Sequence, residues 1–258
     1  MKLNRWAVLA VAAASLAMTY EGSASAAPAP AVFDFTVGSN YNISDGNARI
    51  FTATSSDLGV FKVRATGWSL EKVGQSTYVR DSKLLVYDGG LAVVSGDDNG
   101  GDNNQHTIDN EGRKDFVILQ FDKPVALMSA RFNTYSVLGY SKDSDATIKY
   151  GWSDLAWNSG LGLNNKNVSD LNALFDGSYT SLSPSNNGAS NTRNINPNLH
   201  WGDIWLIGAD FTNSDGRIDG FKITNLAVVP EPATWAMMIA GFGFVGAVAR
   251  RRVRPQLA

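Results

Sequence analysis

Short apolar stretches separated by clusters of Gly, Asn, Asp and Ser fill most of the chain. "VFDFTV", "ARIFTAT", "VFKVRA", "KLLVY", "LAVVS", "DFVILQF", "VALMSARF", "ATIKY", "DIWLIGADF" and "GFKITNLAVV" are rich in β-branched and aromatic residues, and they either alternate or stay apolar throughout. Runs of this kind, punctuated by turn residues, predict strands. So many short strands with turns between them predict an all-β domain, a single jelly-roll-like β-sandwich. One stretch departs from the pattern: "NVSDLNALF", from Asn167 to Phe175, predicts a short helix with Ser169 as its N-cap. "SPSNNGASNTRNINPN", from Ser183 to Asn198, offers turn residues and no core face, and predicts a polar loop.

Both ends of the chain follow a different pattern. Lys2 and Arg5 precede the apolar "WAVLAVAAASLAM", and "SASAA" supplies small residues, with Ala24 and Ala26 at the minus-three and minus-one positions. This is the form of a secretory leader, residues 1–26, cut by signal peptidase between Ala26 and Ala27. At the other end, "VPEPATWAMMIAGFGFVGAVARRRVRPQLA" has no charge from Thr234 to Ala249, and Arg250, Arg251, Arg252 and Arg254 follow at once. A helix over that run reaches roughly 24 Å against a bilayer core of about 30 Å, a short span. Trp235 suits the headgroup layer at one end, and the arginines favour the cytoplasmic side at the other. Pro230 and Pro232 flank Glu231 and separate the run from what precedes it. The alternative is a buried C-terminal core helix, which has little use for four arginines.

Pro230-Glu231-Pro232, then Trp235-Ala236, the apolar span and the arginine cluster together resemble the PEP-CTERM sorting signal in its PEPxxWA variant. The likeness covers residues 230–254, ahead of a short tail at 255–258. It implies a Gram-negative, exosortase-dependent surface protein: exported, anchored in the inner membrane through helix 234–249, and processed near Pro-Glu-Pro by the exosortase, a membrane-embedded cysteine transpeptidase or protease. Delivery to the cell surface or to an exopolysaccharide biofilm matrix follows from the same likeness. The same tail also carries an ice-binding C-terminal label, which says nothing of the domain in front. Ice binding needs a flat Thr array, and only Thr52 and Thr54 hint at one.

Residues 27–229 remain as the ectodomain, a length suited to one all-β domain with its own core. The whole chain has a formal charge of −2. Removing the two ends takes away six basic residues and only Glu21 and Glu231, so the ectodomain is more acidic still. That acidity, without a basic stripe, argues against nucleic-acid partners. The chain has no cysteine, which excludes disulfides, thiol catalysis and Cys-type zinc sites.

The densest polar chemistry lies in "SGDDNGGDNNQHTIDNEGRKDFVILQFDKPV". Asp97, Asp98, Asp102, Asp109 and Glu111 crowd a Gly-rich connection, and hard oxygen ligands are what Ca²⁺ prefers. The spacing is not that of an EF-hand, and the segment reads either as a cation loop or as a solvated acidic connection. It also resembles a "GLGV… HTIDN… DFVLFEFD" pattern of exosortase-dependent ectodomains. "ADFTNSDGRIDGFKI" partly imitates a calcium loop, but Phe211 stands where the first carboxylate belongs, and a β-hairpin turn at Asp215-Gly216 is the expectation.

Catalysis finds little footing. His106 and His200 form no His-x-x-x-His pair, and no G-x-S-x-G elbow presents a serine. Trp201 and Trp205 share parity, which predicts one common face, the core. The expectation is therefore a non-catalytic surface or matrix protein that can contact extracellular polysaccharide. A Ca²⁺-dependent carbohydrate-binding module is the alternative, and a secreted glycoside hydrolase with a carboxylate pair is the third reading.

Overall fold

The computed structural model describes residues 29–36, 47–98, 102–184 and 189–231. The Ala26-Ala27 cleavage site, Pro232, Trp235, Ala236, the run 234–249 and the arginine cluster Arg250, Arg251, Arg252 and Arg254 lie outside them. Among the described residues no helix is long and apolar enough to cross a membrane.

The fold is all-β, as the pattern predicts. Its strands are β1 (Ala31–Asp34), β2 (Ala48–Ser55), β3 (Gly59–Val73), β4 (Ser76–Asp81), β5 (Lys83–Tyr87), β6 (Gly90–Val94), β7 (Ile108–Asp109), β8 (Lys114–Thr134), β9 (Ala146–Gly151), β10 (Gly177–Ser181), β11 (Asn191–Asn194), β12 (Gly202–Ala209) and β13 (Gly220–Pro230). All belong to one hydrogen-bonded sheet with the central order β10-β9-β12-β8-β13-β6-β5.

The sheet turns on β8. Its first half pairs with β3 and β12, and its second half pairs with β11 and β13. The apolar runs "DFVILQF" and "VALMSARF" are therefore one strand of 21 residues, where the sequence pattern predicts two. Pro124 made the difference, because a proline cannot donate to a ladder. In the structure it sits in an irregular stretch: β12 pairs Gly202 with Val125 but Ile204 with Gln120, so the residues between are skipped. The missing N–H falls where β12 asks for none. Asp122 in the same stretch accepts the N–H of Lys62 at 2.9 Å.

Both halves of β8 contribute to one core. Phe33, Val63, Val117, Phe121, Phe132, Trp205, Phe221 and Leu226 belong to it. Phe33 meets Phe121 edge-on at 5.8 Å, and Phe132 meets Phe221 at 4.7 Å. A second cluster lies on the other face of the β3-β8-β12 region, where Trp68, Phe116, Ile118, Ile204 and Leu206 pack with Leu163 and Leu171. Both faces of "DFVILQF" are thus covered, which explains an unbroken apolar run where a half-exposed strand would alternate.

The cover includes the predicted helix, α1 (Val168–Asn172), shorter than the expected Asn167–Phe175. Its N-cap is Asn167, not Ser169. Asn167 Oδ1 accepts the Ser169 N–H at 3.1 Å, and Asp170 Oδ2 accepts the Asn167 N–H at 3.0 Å, a reciprocal capping box. The turn at Asp215-Gly216 exists, with Gly216 at φ +73°, but it joins no hairpin. β12 and β13 each pair with β8 and not with one another. β11 lies inside the segment read as a polar loop, and β4 and β10 were not predicted.

Candidate metal centres

The predicted acidic loop links β6 to β8 by way of β7, and it is tied down by its own donors. Ser95 Oγ donates to Asp97 Oδ1 at 2.7 Å and to Asp98 Oδ2 at 3.0 Å. The Arg113 N–H donates to Asp97 Oδ2 at 2.9 Å, and the Arg113 guanidinium bridges Asp97 and Glu71. Asp109 is buried on β7, where Thr107 Oγ1 and the Glu111 N–H donate to its two oxygens. Asp102 falls in a short 3₁₀ turn over Asp102–Asn104.

Asp115, at the start of the first apolar half of β8, completes this group. It is fully buried, and neither carboxylate oxygen has a hydrogen-bond partner. Burial pushes its pKa well up, and Asp109, Asp98 and Asp97 push it further. Burial likewise raises Asp109, with Asp98 adding to it, and raises Asp98 to about 6. The sequence reading passed over Asp115 because it stands inside a strand. Like charges converging under an acidic loop were the available signal.

A tighter group lies elsewhere. Asp143 and Asp145 precede β9, Asp219 precedes β13, and one oxygen from each lies within 4.8 Å of the others. All three are buried. Asp143 Oδ1 accepts from the Ser144 N–H at 2.7 Å and from Ser183 Oγ at 3.0 Å, while its Oδ2 is buried with no partner. Asp145 Oδ1 accepts the Ser183 N–H at 2.5 Å. Asp219 Oδ1 accepts the Asp145 N–H at 2.7 Å, and its Oδ2 accepts from Asn110 Nδ2 at 2.6 Å. Burial lifts Asp219 to about 8, and Asp143 and Asp145 add to the rise. Burial also raises Asp145.

The nearby cation is Arg193 on β11, drawn down to about 10 by burial while the three carboxylates oppose that fall. It lies over the Phe132 ring at 4.1 Å and donates to the Ser144 carbonyl and the Ser181 hydroxyl. In the sequence "ADFTNSDGRIDGFKI" only partly imitates a calcium loop, with Phe211 where the first carboxylate belongs. The residue of that stretch that joins a carboxylate group is Asp219, and its partners come from the Asp-Ser-Asp before β9. Asp215 instead pairs with Arg217 at 3.6 Å.

The aromatic residues divide. Trp205 is fully buried, with Nε1 donating to the Gly202 carbonyl at 3.2 Å, whereas Trp201 precedes the irregularity at Gly202 and is half-buried. Parity across that irregularity does not hold, so the two do not share one burial. His200 stacks on Tyr150 at 4.0 Å, and His106 meets Tyr87 at 5.0 Å. Trp157, Leu155, Gln120 and Asp203 line an open cavity of 200 Å³, and Trp152 is 50% exposed.

At its C-terminal end β13 pairs Pro230 with Val125, and the Glu231 N–H donates to the Pro124 carbonyl at 3.2 Å. Residues 228–252 match the family model of the PEP-CTERM protein-sorting motif. No curated protein and no solved structure matches the chain.

Proposed function

Because residues 228–252 carry a PEP-CTERM protein-sorting motif, we propose that this is an exported, non-catalytic surface or extracellular-matrix protein, sorted and processed by an exosortase. Its leader is removed by signal peptidase, and the run 234–249 holds the chain in the inner membrane until processing. The ectodomain, read as a jelly-roll-like sandwich, then reaches the cell surface or the polysaccharide matrix. The observation that carries this reading is the ordered motif itself: Pro-Glu-Pro, the apolar run and the arginines, directly behind the last core strand.

The intact mass of the protein recovered from the envelope or medium of its native host tests the sorting. The expected product lacks both residues 1–26 and the sequence beyond the Pro-Glu-Pro region. A main product that retains the sequence after Trp235 overturns it.

A Ca²⁺-dependent carbohydrate-binding role is the second reading. It is favoured by exposed Trp152 and by Trp157 at the rim of an open cavity, since indole faces can stack on sugar rings. A glycan-binding screen with and without Ca²⁺, repeated on Trp152→Ala with Trp157→Ala, separates this reading from a purely structural role.

A further inference from the structure

We propose that Asp143, Asp145 and Asp219 form a Ca²⁺ site that fastens the segment before β9 to the segment before β13. Binding there is independent of how the chain is sorted.

Two observations carry it. The first is proximity: two oxygens each about 2.4 Å from one Ca²⁺ can lie no more than about 4.8 Å apart, and the three carboxylates already meet that limit. The second is the Oδ2 of Asp143. Asp143 is 1% exposed, and this oxygen has no donor. A buried carboxylate oxygen without a partner beside two other buried carboxylates is costly, and a cation relieves both the repulsion and the missing contact.

The donors around the group fix the carboxylates for such a role. Ser183 bonds both Asp143 and Asp145, and Asn110 bonds Asp219. These bonds hold the side chains in place and leave Asp143 Oδ2 free. The ligand chemistry is oxygen only, without His or Cys, which selects Ca²⁺ over zinc or copper. One Ca²⁺ together with Arg193 balances the three charges, and water and backbone carbonyls bring the shell to the usual six to eight oxygens, about 2.3 to 2.6 Å away.

The test uses the full chain, purified in detergent, stripped with EGTA and titrated with CaCl₂ by calorimetry, while melting is followed in parallel. Binding is expected in the range of about 10⁻⁴ to 10⁻³ M, typical of extracellular modules, with a rise in melting temperature. Asp143→Asn with Asp219→Asn abolishes both responses. Asp98→Asn with Asp109→Asn keeps both. If the first double variant does not fold, Asp143→Asn alone serves, with calcium affinity reduced at least tenfold as the expected result. A wild-type chain that binds no calcium overturns the site, as does binding that survives Asp143→Asn or disappears only in the Asp98 and Asp109 variant.

Discussion

Asn110 and Asp219 clasp each other across 109 residues of sequence. Asn110 Oδ1 accepts the Asp219 N–H at 2.9 Å, while Asn110 Nδ2 donates to Asp219 Oδ2 at 2.6 Å. Asn110 directly follows Asp109, and Asp109 pairs with Gly220 in the sheet. The two carboxylate groups are therefore neighbours, joined through this one amide.

Asn110→Ala should destabilise the protein by about 1 to 3 kcal/mol, the usual result of leaving a buried donor and acceptor unsatisfied. Asn110→Asp should be worse, since it returns no donor and adds a charge facing Asp219. Urea unfolding of both variants checks the order, and an Asn110→Asp variant as stable as wild type would contradict the assigned contact.

Asp115 gives the opposite sign. Its folded pKa is raised, so between the unfolded carboxylate value and the folded one the native state binds more protons than the unfolded state. Stability from this group is thus highest in acid and falls as the pH climbs through that window. Asp98, raised to about 6, acts in the same direction. Asp115→Asn places an amide donor among Asp97, Asp98 and Asp109. In chelator at neutral pH it should stabilise by roughly 1 to 3 kcal/mol and flatten the fall in stability with pH. A melting profile against pH that keeps the wild-type slope would refute the role given to this carboxylate.

Leu171 is fully buried in the outer cluster with Trp68, Val79 and Leu163. Leu171→Ala should cost about 2 to 5 kcal/mol, as for other large-to-small changes in a packed site. Hydrogen exchange should show protection lost first around α1 and along the covered face of β8. A loss confined to α1 itself would mean that the cover adds nothing to the sheet beneath it.

At the other end of the chain, replacing Arg250, Arg251, Arg252 and Arg254 by Ala should weaken stop-transfer, because positive charge beside a short span resists translocation. A C-terminal tag should become accessible from the periplasm, and processing should fall. Unchanged accessibility with normal processing would deny the arginines that role.

The predicted β-character was legible because most core strands carry it locally: "DFVILQF" and "DIWLIGADF" are apolar enough to announce burial on both faces. β11 was not, because "NTRN" contributes backbone pairing and the Arg193 guanidinium rather than apolar surface. The length of β8 was hidden by Pro124, whose effect depends on what the partner strand does opposite it. The Asp143, Asp145 and Asp219 group was invisible for another reason. Asp145 and Asp219 lie 74 residues apart, and only the sheet order that places β9 and β13 on either side of β12 and β8 brings their approach segments together. The crowded acidic loop was visible, yet Asp115, its most deeply buried carboxylate, looked like a strand residue.

β1 lies antiparallel along β13, with Ala31 opposite Val228. The chain therefore enters the domain and leaves it side by side. A domain connected in this way can hang from a surface by either end, or by both at once, without any tether passing through or around its strands.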